Sequence, residues 1–231
     1  MASDLTPALV ELPATPYPLH LRLATTALIL IDMQRDFLEP GGFGATGQRV
    51  SLLRSAVAPC QRLLAAARSA GLLVIHTREG HGPDLADAHP AKLARGKGPL
   101  RIGDHGPMGR ILIQGEHGHD IIPELAPAPG EPVLDKPGKG AFYNTDLALI
   151  LANHGIHTLI VAGVTTEVCV HATTREGNDR GYECLVVSDA VASYFPEFHR
   201  VALEMIVAQG GILGWVADSA AVCSVLTQAN A

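Results

Sequence analysis

Aromatic residues make up only 4% of this 231-residue chain and charged residues only 17%, while hydrophobic residues reach 47%. Large-scale disorder needs the opposite balance, so the composition predicts a packed core. Positive charge is also short: 17 Lys and Arg stand against 23 Asp and Glu, a net charge of −6. No basic field is available for nucleic acid or an anionic membrane, and neither is expected as a partner. A membrane helix needs about 20 apolar residues. The run beginning at Ala27 stops after five, at Asp32. The first 26 residues lack a basic start, apolar centre and small-residue cleavage site, which predicts a cytoplasmic protein. Cysteine is sparse and scattered. Cys60, Cys169, Cys184 and Cys223 have no C-x-x-C spacing and are expected to stay free thiols in a reducing compartment.

Against these shortages stands a regular alternation. Six short apolar runs, at Ala27–Ile31, Leu72–His76, Pro132–Leu134, Thr158–Ala162, Cys184–Ser188 and Ile212–Val216, have the length and β-branching of buried strands. Between them, 51–70, 145–154, 168–180 and 198–209 space apolar residues by three and four, as crossover helices require. The pattern predicts an α/β fold, a three-layer α/β/α sandwich on a six-stranded parallel sheet. One domain over 1–231 is expected, with an N-terminal arm at 1–24. Residues 77–130, rich in Gly, Pro and His, read as a long loop region on the active-site side.

Ligands of open parallel sheets bind beyond the carboxyl ends of the strands. Asp32 follows the first apolar run, Lys136 follows the third, and Cys169 lies just past the fourth at the start of a helix. Each alone has an ordinary role: a turn-capping Asp, a solvated Lys, a buried thiol. Together they form a nucleophilic site. A helix N-terminus and a nearby ammonium favour a thiolate, and a carboxylate can take the thiol proton and return it to a departing amine. The strand-to-helix turn offers the amides of Val168 and Cys169 as an oxyanion hole.

Other motifs are weaker. Pro137-Gly138-Lys139-Gly140 lacks phosphate-loop spacing. His76 with His81, and His117 with His119, lack a supporting second pair of ligands and read as solvated loop histidines. Cys60, Cys184 and Cys223 read as core.

The segments ALILIDMQRDFLEPGG, DKPGKGAF and VAGVTTEVCVHATTREGNDRGYECLVVSDA, in that order, resemble the isochorismatase-like hydrolases over about Ala27–Ala220. The resemblance implies Asp32 as acid/base, Lys136 as the family lysine and Cys169 as nucleophile. Isochorismatases themselves lack that cysteine, so it points to the amidohydrolase branch. For that branch a cis Val164–Thr165 peptide, a thioester intermediate and a homotetramer are implied. HTREGH lacks the D-x-H unit of the nicotinamidases, so no metal and no cofactor are expected.

The stretches HTREGHGPDLAD, RIGDHGPMGRILIQGEHGHDIIPEL and DKPGKGAFYNTDL further resemble the biuret and triuret hydrolase subgroup. That likeness implies a small ureido substrate, with Gln209, Phe37 and Tyr143, and less strongly Lys139 and Arg78, as contacts. Alternatives are another N-carbamoyl compound, such as ureidoacrylate or N-carbamoylsarcosine, or a non-catalytic protein in which Cys169 senses or binds. Binding alone needs no acid/base partner, which disfavours the last.

Overall fold

The computed structural model describes residues 9–43, 49–95 and 101–228. The start of the expected N-terminal arm, 1–8, and residues 96–100 of the expected loop region lie outside the described residues. In chain order the regular elements are β1 (Leu9–Leu12), β2 (Leu19–Arg22), β3 (Thr26–Ile31), α1 (Arg35–Leu38), α2 (Val50–Arg54), α3 (Val57–Ser69) and β4 (Leu73–Glu79). There follow α4 (Pro90–Leu93), β5 (His105–Gly106), β6 (Gly109–Arg110), β7 (Val133–Lys136), α5 (Leu147–Asn153) and β8 (Thr158–Val164). The last elements are α6 (His171–Asp179), β9 (Glu183–Ala192), α7 (Pro196–Gly211), β10 (Trp215–Ala217) and α8 (Ser219–Gln228).

Six strands form one parallel sheet in the order β10-β9-β8-β3-β4-β7, the architecture the alternation predicts. Period-two side-chain alternation divides β3 between two cores. Leu28 and Leu30 pack with Leu63 of α3 and Leu226 of α8, while Ala27, Ile29 and Ile31 pack with Leu147 of α5 and Ile206 of α7. Each fully buried Leu or Ile contributes about 1.5–3 kcal/mol of transfer free energy, so a one-residue slip of β3 would reverse its whole contribution.

Where β3 and β8 run side by side to their ends, Gly163 is required. Its φ is +112°, and a Cβ there would stand 2.1 Å from the Ile31 carbonyl oxygen. The close approach brings the residue after β3 next to the segment after β8.

Several boundaries differ from the sequence reading. The sixth strand begins at Trp215, because Gly210, Gly211 and Gly214 all take positive φ and turn the chain first. One predicted helix over 51–70 is two, α2 and α3. The described part of the N-terminal arm is a hairpin, β1 antiparallel to β2, which buries Leu12, Leu19 and Leu21. The histidines need the largest correction: His76, His81 and His119 are buried, and only His117 is exposed as expected. His76 pairs with Glu131 at 2.9 Å and His81 with Asp87 at 3.2 Å. Cys60 and Cys184 are fully buried, while Cys223 is only partly so.

Candidate active site

Four strand ends meet at one edge of the sheet. Asp32 leaves β3 with φ +49°, a left-handed conformation that Asp tolerates better than most residues. Thr77 of β4 holds it: the Asp32 amide reaches the Thr77 carbonyl at 3.1 Å, and the Thr77 hydroxyl donates to Asp32 Oδ1 at 2.7 Å. The other carboxylate oxygen, Oδ2, lies 2.7 Å from Lys136 Nζ at the end of β7. Lys136 also donates to the carbonyls of Gly138 (3.1 Å) and Lys139 (3.0 Å), so its ammonium is held by two hydrogen bonds and one ion pair.

Cys169 sits in a π-helical turn, Thr166–Val170, that leads into α6. The peptide before that turn, Val164–Thr165, is cis, at the bond where the resemblance places one. Thr173 ties the turn to the Lys136 loop, donating to the Cys169 carbonyl at 2.7 Å and accepting from the Ala141 amide at 3.0 Å. The Val168 amide donates to the Thr165 carbonyl at 3.2 Å, so it is already engaged. One of the two amides expected in an oxyanion hole is thus occupied.

A second buried carboxylate, unforeseen in the sequence reading, completes the cluster. Glu79, the last residue of β4, is contacted by the Cys169 thiol at 3.7 Å. Oxygens of Asp32 and Glu79 and the Cys169 sulfur all lie within 4.8 Å of one another. Glu79 pairs with Lys139 (2.6 Å) and Lys92 (3.1 Å), and Gln34 clamps its backbone, accepting from its amide at 2.7 Å and donating to its carbonyl at 2.9 Å.

The electrostatics divide these groups. Burial pushes the Cys169 thiol well above its ordinary pKa, with Lys136 pulling the other way. Burial also opposes the charge on Lys136, but Asp32, Cys169 and Glu79 outweigh it and raise its pKa. For Glu79, burial acts to raise the pKa and is overcome by Lys139, Lys136 and Lys92, which bring it down to about 2. The thiol therefore needs a proton acceptor at hand before it can attack, and Glu79 is an anion throughout the physiological range.

The remaining candidates are placed unevenly. Lys139 reaches the cluster, and Tyr143 covers the same loop at Gly138 with its ring exposed. Phe37 is buried in the α3-side core, edge-on to Phe43, whereas Cys169 packs in the other core. Arg78 is held by Asp135 through two contacts, at 2.7 and 3.1 Å. Gln209 is exposed at the end of α7, just before β10, and so lies at the amino edge of the sheet, opposite Cys169. Glu79 was missed because the second apolar run ends at His76, while the strand continues through three further residues; Lys92 lies in α4, within the stretch read as a loop, and Gln34 just past β3, and neither has a local signal.

The isochorismatase domain profile matches residues 26–220. The chain is 37% identical over 223 residues to the ureidoacrylate amidohydrolase RutB of Methylobacterium radiotolerans, covering 94% of this chain and 85% of that protein. Among solved structures it is similar to a cysteine hydrolase from Pseudomonas syringae pv. phaseolicola 1448A, with TM-score 0.76, 28% identity and coverage of 97% and 99%. It is also similar to the N-carbamoylsarcosine amidase of Thermoplasma acidophilum, with TM-score 0.65, 26% identity and coverage of 84% and 96%.

Proposed function

The chain belongs to the isochorismatase family, and from that membership we propose that it is a cysteine-dependent amidohydrolase of small N-carbamoyl compounds, with ureidoacrylate the leading candidate. One observation carries the reading: a buried thiol, an Asp paired with a buried Lys, and a cationic rim occupy one strand edge. Asp32 takes the Cys169 proton as the sulfur attacks the ureido carbonyl carbon. The Cys169 amide holds the oxyanion. As the C–N bond breaks, Asp32 returns the proton to the departing nitrogen and leaves a thioester on Cys169. Asp32 then takes a proton from water, which hydrolyses the thioester and restores the thiol.

Two features support ureidoacrylate over an uncharged substrate. The named relative acts on it. In addition, two ammonium groups, Lys92 and Lys139, share the single Glu79 carboxylate, leaving a surplus positive charge beside the thiol for a substrate carboxylate. Biuret or triuret is the second reading, supported by the long sequence stretches that resemble that subgroup. Relatives named for ureidoacrylate weigh against it. A turnover screen across ureidoacrylate, N-carbamoylsarcosine, biuret, triuret and nicotinamide tests the proposal, with intact-protein mass spectrometry to trap the Cys169 adduct. Preferred turnover of ureidoacrylate is expected. Preference for biuret or triuret would move the substrate, and turnover of nicotinamide alone would overturn the ureido class.

A further inference from the structure

We propose that Glu79 contacts the substrate directly, its Oε2 accepting the inner N–H of the ureido group while Cys169 attacks the adjacent carbonyl; this deepens the reading above and rests on it. Sγ and Oε2 are 3.7 Å apart, so a carbonyl carbon brought within attacking distance of the sulfur, about 3–3.5 Å, carries its neighbouring nitrogen into hydrogen-bonding reach of that oxygen. The carboxylate is held by Lys139, which donates to both of its oxygens at 2.6 and 2.9 Å, and by Lys92 at 3.1 Å, while the fully buried Gln34 fixes the backbone that carries it.

Direction decides which nitrogen is read. Lys136 is closed off from water, whereas Lys92 and Lys139 are 23% and 44% exposed, so the way out of the site passes them. Glu79 stands between the thiol and those two lysines. A ureido compound entering with its carbamoyl end first therefore presents to Glu79 the nitrogen that bears the rest of the molecule. Its tail then continues toward the lysines.

Chemistry supplies the remaining step. A carboxylate used as a base near neutrality must be able to hold a proton there, and the three surrounding ammonium groups keep Glu79 ionised down to about pH 2. It is suited to accepting a hydrogen bond and unsuited to shuttling a proton. Nor does stability explain it, since a buried ion pair is commonly matched or bettered by apolar residues of the same size.

The test is a coupling measurement. 3-Ureidoacrylate and biuret are each assayed beside the analogue methylated on the inner nitrogen, with wild type, Glu79→Gln and Glu79→Asp. For wild type, methylation should lower kcat/KM strongly. Glu79→Gln should lower kcat/KM on the unmethylated substrate about 10- to 100-fold, the loss expected for a charge-assisted hydrogen bond. In that variant methylation should cost at least 10-fold less than in wild type, a non-additivity that a merely structural role would not produce. Glu79→Asp, which keeps the charge, should fall between the two and supplies the coupling if Glu79→Gln does not fold by circular dichroism. An equal methylation penalty in wild type and variants overturns the proposal. Wild type that hydrolyses neither ureido compound would instead overturn the functional reading itself.

Discussion

Lys136 Nζ lies 2.7 Å from Asp32 Oδ2, and both side chains are sealed from water. Removing one partner of such a pair strands the other as a buried charge. Lys136→Met is therefore expected to abolish turnover and to destabilise the fold by roughly 3–5 kcal/mol in urea titrations. Adding Asp32→Asn should recover at least about 1 kcal/mol, because it neutralises the stranded carboxylate. Strictly additive losses in the double variant would mean that the two charges do not depend on each other.

Cys169→Ser should leave the circular dichroism spectrum and the urea midpoint close to wild type while turnover falls below a hundredth. A hydroxyl has a far higher pKa than a thiol, and the buried site already works against forming an anion at this position. A tenth of the wild-type rate surviving in the serine variant would remove Cys169 as nucleophile.

Most of this site was legible before the fold, and the reason is topological. Asp32, Lys136 and Cys169 each come after an apolar run, and parallel strands deliver the residues just beyond their carboxyl ends to one edge. Glu79 was hidden because β4 continues through Thr77, Arg78 and Glu79, polar residues that only the pairing with β7 reveals as strand. Gln209 shows the converse. A local likeness singled it out, but a residue that precedes a parallel strand belongs to the opposite edge of the same sheet. The histidines misled for a third reason: a carboxylate partner, Glu131 for His76 and Asp87 for His81, lets a histidine be buried, and the sequence does not show that partner.

Activity is expected to survive exhaustive chelation. Asp32, Glu79 and Cys169 lie close enough to suggest a cation site, but Lys136 holds an oxygen of Asp32, and Lys139 and Lys92 hold Glu79. A metal would have to displace ammonium groups that already neutralise its ligands. Assay after treatment with EDTA and 1,10-phenanthroline checks this, and a loss restored by zinc or iron would contradict it.

Asp36 offers a pH-dependent test outside the catalytic cluster. Its Oδ2 accepts from the Leu112 amide at 2.8 Å, and burial raises its pKa from 3.8 to about 6 against that hydrogen bond, with Glu116 reinforcing the rise. A carboxyl group with a raised pKa binds its proton more tightly in the folded state. Its stabilising contribution is full below pH 3.8 and is lost as the pH rises through about 6. Glu79 and Glu131, brought down to about 2, act in the opposite sense: their contribution is full above 4.5 and is lost as the pH falls toward 2. Asp36→Asn retains the acceptor for Leu112 but cannot ionise, so comparing it with wild type cancels the two glutamates and isolates Asp36. The variant should match wild type within about 0.5 kcal/mol at pH 4 and exceed it by on the order of 1–3 kcal/mol at pH 7.5. Urea titrations across that range read the difference directly, and a variant less stable than wild type at pH 7.5 would show that the Asp36 carboxylate is a net stabilising group.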